Sequence, residues 1–145
     1  MKFRKAYAMD NKSRVIVVPC SGIGKVHGLI SRESAYEITD NIAKEQADTL
    51  CLALLVKGDE EALAKVRSNP CITIDGCAKY CAKKNIEIAG GKVAEAFIVN
   101  DALKSHRGEQ PGTATKLTDT GWTVVREIAC CLASDVRAQS EGGEK

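Results

Sequence analysis

The chemistry available to this chain is concentrated in its thiols. Seven cysteines stand among 145 residues, against two histidines. Cys77 and Cys81 lie four residues apart, directly after Asp75-Gly76. On a helix that spacing puts both side chains on one face, one above the other. A glycine turn that opens onto a helix N-terminus also favours the thiolate form. Cys20 stands where the β-branched run Val15-Ile16-Val17-Val18-Pro19 stops and Ser21-Gly22-Ile23-Gly24 begins. Cys51 lies inside an apolar run over residues 49–55. Thiolates are nucleophiles, redox groups and soft-metal ligands, so the question is which of them work together.

The elements around them set the answer. Residues 15–19 read as a strand buried on both faces, because they are apolar without alternation. Ala35, Ile38 and Ile42 follow at helical spacing, which predicts a helix from the mid-twenties to about Ala47. Residues 49–55 predict a second strand. A helix over 57–69, opened by Gly58-Asp59, ends at Pro70, since the residue before a proline is driven out of the helical region. A third strand follows over 71–75, closed by Gly76. A short helix is expected over 77–84, then one or two strands over 86–88 and 93–100, with the Gly90-Gly91 break between. Residues 103–117 read as a surface loop. The last helix spans 122–138, with Val124, Val125, Ile128, Leu132 and Val136 on one face. Strand and helix alternate, so the fold class is α/β: an open, mainly parallel sheet of four to five strands with helices on both faces, Rossmann-like and three-layered. One domain over 1–138 and a frayed tail over 139–145 are expected.

Composition excludes several functions. Apolar residues make up 44% and charged residues 28%, values of a soluble globular chain. Lys and Arg number 21 against 19 acidic residues. That balance argues against nucleic acid or an anionic membrane as a partner, and 4% aromatics argues against base stacking. Lys2, Arg4, Lys5 and Asp10 interrupt any apolar core at the start, so no secretory signal is expected there. A cysteine-rich chain without that signal points to a reducing, cytoplasmic setting, where thiols serve metals, catalysis or packing rather than disulfides.

Ligands of open parallel sheets bind beyond the carboxyl ends of the strands. Cys20, Cys77 and Cys81 come from two such ends and are expected to converge. Cys51 joins them if the second strand ends early, near Ala53. Four thiolates suit Zn²⁺, with Zn–S near ~2.3 Å, and a closed set of four is usually structural. The same ligands serve an iron–sulfur cluster. Without metal, Cys20 as nucleophile and Cys77 or Cys81 as resolving thiol would make a redox pair. Ser21, Gly22, Asp75 and Gly76 shape the turns around these thiols. Asp75 can accept backbone N–H bonds and orient the Cys77 loop, or close a local turn.

The remaining features have plainer readings. Cys71 is expected to pack, Cys131 to belong to the core from the margin of the last helix's apolar face, and Cys130 to be exposed. Two histidines are too few for a His-based centre, and His27 and His106 read as surface residues, with His27 near enough to Cys20 to act as a base. Ser21-Gly22-Ile23-Gly24-Lys25 does not match G-x-x-x-x-G-K-[ST] and reads as a strand-to-helix turn.

Cys20-Ser21-Gly22 with Val26 and Leu29, Cys51-Leu52-Ala53, Ile74-Asp75-Gly76-Cys77 and Cys81-Ala82-Lys83-Lys84 together resemble the DGC-domain family. That resemblance covers residues 15–99 and is carried most by Ile74–Lys84. It implies that the four shared cysteines, here Cys20, Cys51, Cys77 and Cys81, bind zinc. The expected function is that of a small zinc-binding accessory module with a protein partner, without nucleic acid or membrane.

Overall fold

The computed structural model describes residues 14–142. Strand β1, Val15–Pro19, leads through a turn to helix α1, Val26–Tyr36, which continues as a π-helical turn over Glu37–Ile42. Strand β2, Ala47–Thr49, is followed by α2, Leu52–Lys57, and α3, Glu60–Ser68. Strand β3, Pro70–Asp75, precedes α4, Cys81–Ile88, and β4, Lys92–Ile98. Helix α5, Val99–Leu103, a 3₁₀ turn over Lys104–His106 and the long α6, Asp119–Gly142, complete the described chain. The four strands pair in parallel in the order β2-β1-β3-β4. This is the expected α/β class.

Two cores explain the unbroken apolar strands. Val15 and Val17 of β1, with Ile72 and Ile74 of β3, pack under α1 and α6. Ile16 and Val18, with Cys71, face the other way, under α2, α3 and α4. Successive strand residues point to opposite faces, so a strand covered on both sides must be apolar at every position. Cys71 is fully buried, and that burial pushes its thiol up to about 11, so it stays protonated as a packing residue at neutral pH.

The order of the strands also locates the site. From β1 the chain crosses to β2 on one side, and from β3 it crosses to β4 on the other. The connections diverge between β1 and β3 and leave a crevice beyond their carboxyl ends. Cys20 N–H donates to Ile74 O at 2.9 Å and ties the two strand ends together there.

Several boundaries differ from the sequence reading. The helix expected to reach Ala47 stops at Ile42, and the second strand is the three residues Ala47–Thr49. Residues 52–57 are helical instead. Their apolar run has Leu55 buried and Val56 68% exposed, and Gly58 closes the helix at φ 84°. A short apolar run does not distinguish strand from helix by itself. Helix α4 begins at Cys81 rather than Cys77 and absorbs the strand expected over 86–88, so the sheet has four strands. The strand expected to reach residue 100 stops at Ile98, and residues 99–106 are helical, running into the start of the expected loop. The last helix runs past Ala138 to Gly142, while 1–13 and 143–145 lie outside the described residues. Cys131 is exposed like Cys130: the buried face of α6 is centred on Val125 and Leu132 and extends toward Ala129 and Ala133, leaving Cys131 just past its edge.

His106 is not a free surface residue either. Its Nε2 lies 2.8 Å from Glu127 of α6 and its Nδ1 3.4 Å from Glu109. The Glu127 hydrogen bond, with Glu109 behind it, raises the His106 pKa above the ordinary histidine value. A raised pKa means that the contact is fully present below the ordinary value and is lost as pH rises through the folded one. Amide exchange over 104–110 should therefore quicken as pH rises through that window, beyond the intrinsic rate. In Glu127→Gln the histidine titration, followed by NMR, should move down; an unmoved titration would contradict the assignment.

Candidate metal centre

The thiols are placed by different elements. Cys20 follows β1, and its Sγ accepts a hydrogen bond from Gly76 N–H at 3.2 Å. The same Sγ lies 3.4 Å from Ser31 Oγ on α1. Ser31 donates to Gly28 O at 2.8 Å and accepts from Ser21 N–H at 3.1 Å. Its single proton is thereby committed, so in the 3.4 Å contact the Cys20 thiol is the donor. A deprotonated Cys20 keeps the Gly76 bond and gains another if the Ser31 hydroxyl turns toward it.

Two glycines make this approach possible. A Cβ on Gly28 would lie 1.8 Å from Gly22 O, so the turn after β1 sits directly on the α1 backbone. A Cβ on Gly76 would come within 3.0 Å of His27 Cβ, so the turn after β3 also presses on α1. Ser21 adopts φ 51°, an uncommon left-handed conformation for a non-glycine residue, as the chain leaves the sheet.

Asp75 and Cys81 are linked through α4. Asp75 is 1% exposed, and strand alternation puts it on the side covered by α4. Its carboxylate accepts from Ala82 N–H at 2.7 Å and Lys83 N–H at 3.2 Å. These are early amides of α4, which have no partner within the helix. Tyr80, the residue that precedes the helix, has φ 55° and no side-chain capping bond. Asp75 therefore caps α4 from the end of β3 and sets where Cys81 begins. Burial raises the Asp75 pKa against the opposing pull of those two hydrogen bonds. Its two bonds thus go to the amides of Ala82 and Lys83, beyond the Cys77 turn.

The thiols meet in part. Cys20, Cys77 and Cys81 line one cavity of about 180 Å³, together with Asp75, Gly76 and His27. Cys77 lies in the turn between β3 and α4, so it and Cys81 do not share a helix face as the spacing predicts. Cys51 immediately precedes α2 at the carboxyl end of β2 and lines a second cavity, of about 500 Å³, whose wall also includes Cys20. Cys20 is half-buried, and Cys51, Cys77 and Cys81 are exposed. Among the described residues no three Cys, His, Asp or Glu side chains stand close enough to hold a metal ion. The donor set suits zinc chemically, and its present arrangement is open.

Sequence reading missed Ser31 and Arg32, which donates to Ser21 Oγ at 3.3 Å. Ser31 and Ser34 fall among the buried residues of α1, a polar pair on an otherwise apolar face, and that was the available signal. His27 lines the cysteine cavity, and its Nδ1 is buried without a hydrogen-bond partner among the described residues. No helix among those residues is long and apolar enough to cross a membrane.

The family model of the DGC domain matches residues 16–124. That span holds Cys20, Cys51, Cys77 and Cys81 and leaves out the exposed pair on α6. No curated protein and no solved structure matches the chain. With the model covering most of its length and the Asp75-Gly76-Cys77 turn at the centre of the crevice, the chain belongs to the DGC-domain family.

Proposed function

We propose that this protein is a small cytoplasmic zinc-binding module that holds one Zn²⁺ through Cys20, Cys51, Cys77 and Cys81. The observation that carries the reading is the position of Cys20. It forms part of the wall of two cavities, one bearing Cys77 and Cys81 and the other Cys51. Cys20 thus stands between Cys77 and Cys81 on one side and Cys51 on the other, at the carboxyl edge of the sheet. The Gly76 N–H bond supports the Cys20 sulfur as an electron-pair donor. Asp75 supports Cys81 by fixing the start of α4.

Zinc bound by four thiolates is a closed, structural site that leaves no position for an activated water. The module then acts by presenting a surface to a protein partner. Because the present arrangement is open, metal binding on this reading includes closure of the exposed Cys51 and Cys77 turns around Cys20.

The test is the metal content of protein purified under reducing, oxygen-free conditions. After dialysis against a competing chelator, Cys77→Ser should retain far less zinc than wild type, since it loses one ligand of four and even outer-sphere changes cost about 10–100-fold in affinity. Cys130→Ser, on the outer side of α6, should retain all of it. Equal zinc in the two variants would overturn the reading.

A thiol redox function is the second reading. It is favoured by the absence of three converging donors among the described residues and by the cavity that Cys20 shares with Cys77 and Cys81. Cys20 would then form a disulfide with one of them, giving two electrons and two protons to an oxidant. A metal-free protein that loses two thiols on mild oxidation would support it. An iron–sulfur protein would be brown.

A further inference from the structure

The second cavity has a feature that the zinc reading does not use. Arg32 projects from α1 into its wall, half-buried, with Nη1 donating to Ser21 Oγ at 3.3 Å. No carboxylate among the described residues pairs with it. It is also the one charged side chain among the described residues that line the cavity. A guanidinium partly withdrawn from water, with donors to spare and no anion, is a recognition group awaiting its partner. Pro19, Leu50 and Leu52 line the same space, with Cys20 and Cys51.

The chemistry of the walls defines the ligand. A guanidinium presents paired N–H groups that match the two oxygens of a carboxylate. One cation and apolar walls fit a monoanion with a hydrocarbon body better than a dianionic phosphate, whose second charge would be unpaired. We propose that this cavity binds a small carboxylic acid, its carboxylate on Arg32 and its apolar body against Pro19, Leu50 and Leu52, beside the thiols of Cys20 and Cys51. The proposal concerns the open arrangement of the thiols, and it rests on Arg32, which is not one of the four donors.

Alkylation of the full chain tests it, because iodoacetate carries a carboxylate and iodoacetamide does not. In both reactions the thiolate sulfur forms a bond to the CH₂ carbon, the carbon–iodine bond breaks, iodide leaves and the thiol proton goes to solvent. The iodoacetate-to-iodoacetamide rate ratio at Cys20, divided by the ratio at Cys130, isolates the local cation. In Arg32→Gln this quotient should fall about tenfold, the size of one charged hydrogen-bonding contact. Arg32→Lys should keep most of it. Added salt should lower it in the wild type, a measurement that needs no variant. Butyrate should slow iodoacetate labelling at Cys20 in the wild type and not in Arg32→Gln. Where labelling at Cys20 is too slow to follow, broadening of the butyrate NMR lines by wild type and not by Arg32→Gln reads the same site. A quotient indifferent to Arg32→Gln and to salt, or butyrate lines broadened equally by both proteins, would overturn the proposal. Inorganic phosphate protecting as well as butyrate would overturn the apolar half of the assignment. Zinc content measured on the same samples should not change in Arg32→Gln, which keeps this result separate from the metal reading.

Discussion

Gly28→Ala is expected to destabilise the protein by about 3 kcal/mol, the upper range for overpacking a rigid site. Two effects of opposite sign compete at this position. Alanine is a better helix former than glycine by about 1 kcal/mol, and Gly28 lies within α1. Against that, the new Cβ would lie 1.8 Å from Gly22 O and 2.5 Å from Gly22 C. Those atoms are backbone, so no rotamer change relieves the contact. Either α1 or the turn carrying Cys20 and Ser21 must move, and the bonds through Ser31 go with it. The steric term wins. Gly22→Ala is the control, because nothing lies within 4 Å of a Cβ there, and its effect should stay below about 1 kcal/mol. Denaturant midpoints at constant m-value measure both. A Gly28→Ala protein as stable as wild type would mean that the turn does not rest on α1.

Asp75→Ala is expected to cost about 2 kcal/mol, the upper end for loss of a helix cap. Two α4 amides lose their acceptor in a setting where water does not readily replace it. Hydrogen exchange should show the loss first at Ala82 and Lys83, before the strands respond. The pH dependence runs opposite to that of most carboxylates. Burial raises the Asp75 pKa, so the group's contribution is fully present below the ordinary aspartate value and declines as pH rises through its folded one. The stability gap between wild type and Asp75→Ala should therefore narrow with rising pH across that window. A gap that widens there would show that the hydrogen bonds, not burial, dominate its titration.

Strand patterning was the most legible part of the sequence. Val15 to Val18 carry no polar residue because each faces one of two cores, and that unbroken run by itself implies a parallel sheet. Cys20 was legible for the same reason, as the residue at which the run stops. The segment around Cys51 was not, because Leu50 to Val56 is apolar in either period and only the αL turn at Gly58 ends it as a helix. The start of α4 was obscured by a cap supplied from another element: Asp75 lies six residues before Cys81, so no local motif marks the helix N-terminus. Arg32 looked like any charge on a helix. Its setting depends on Cys20, Cys51 and Leu50, which only the fold brings to one cavity.

The most direct measurement is elemental analysis beside a visible spectrum on protein purified under reducing, oxygen-free conditions. One zinc per chain with no visible absorbance is the expected result. Protein free of metal, with Cys20, Cys51, Cys77 and Cys81 all titrating as reactive thiols, would contradict a zinc module and leave thiol chemistry as the function of the crevice.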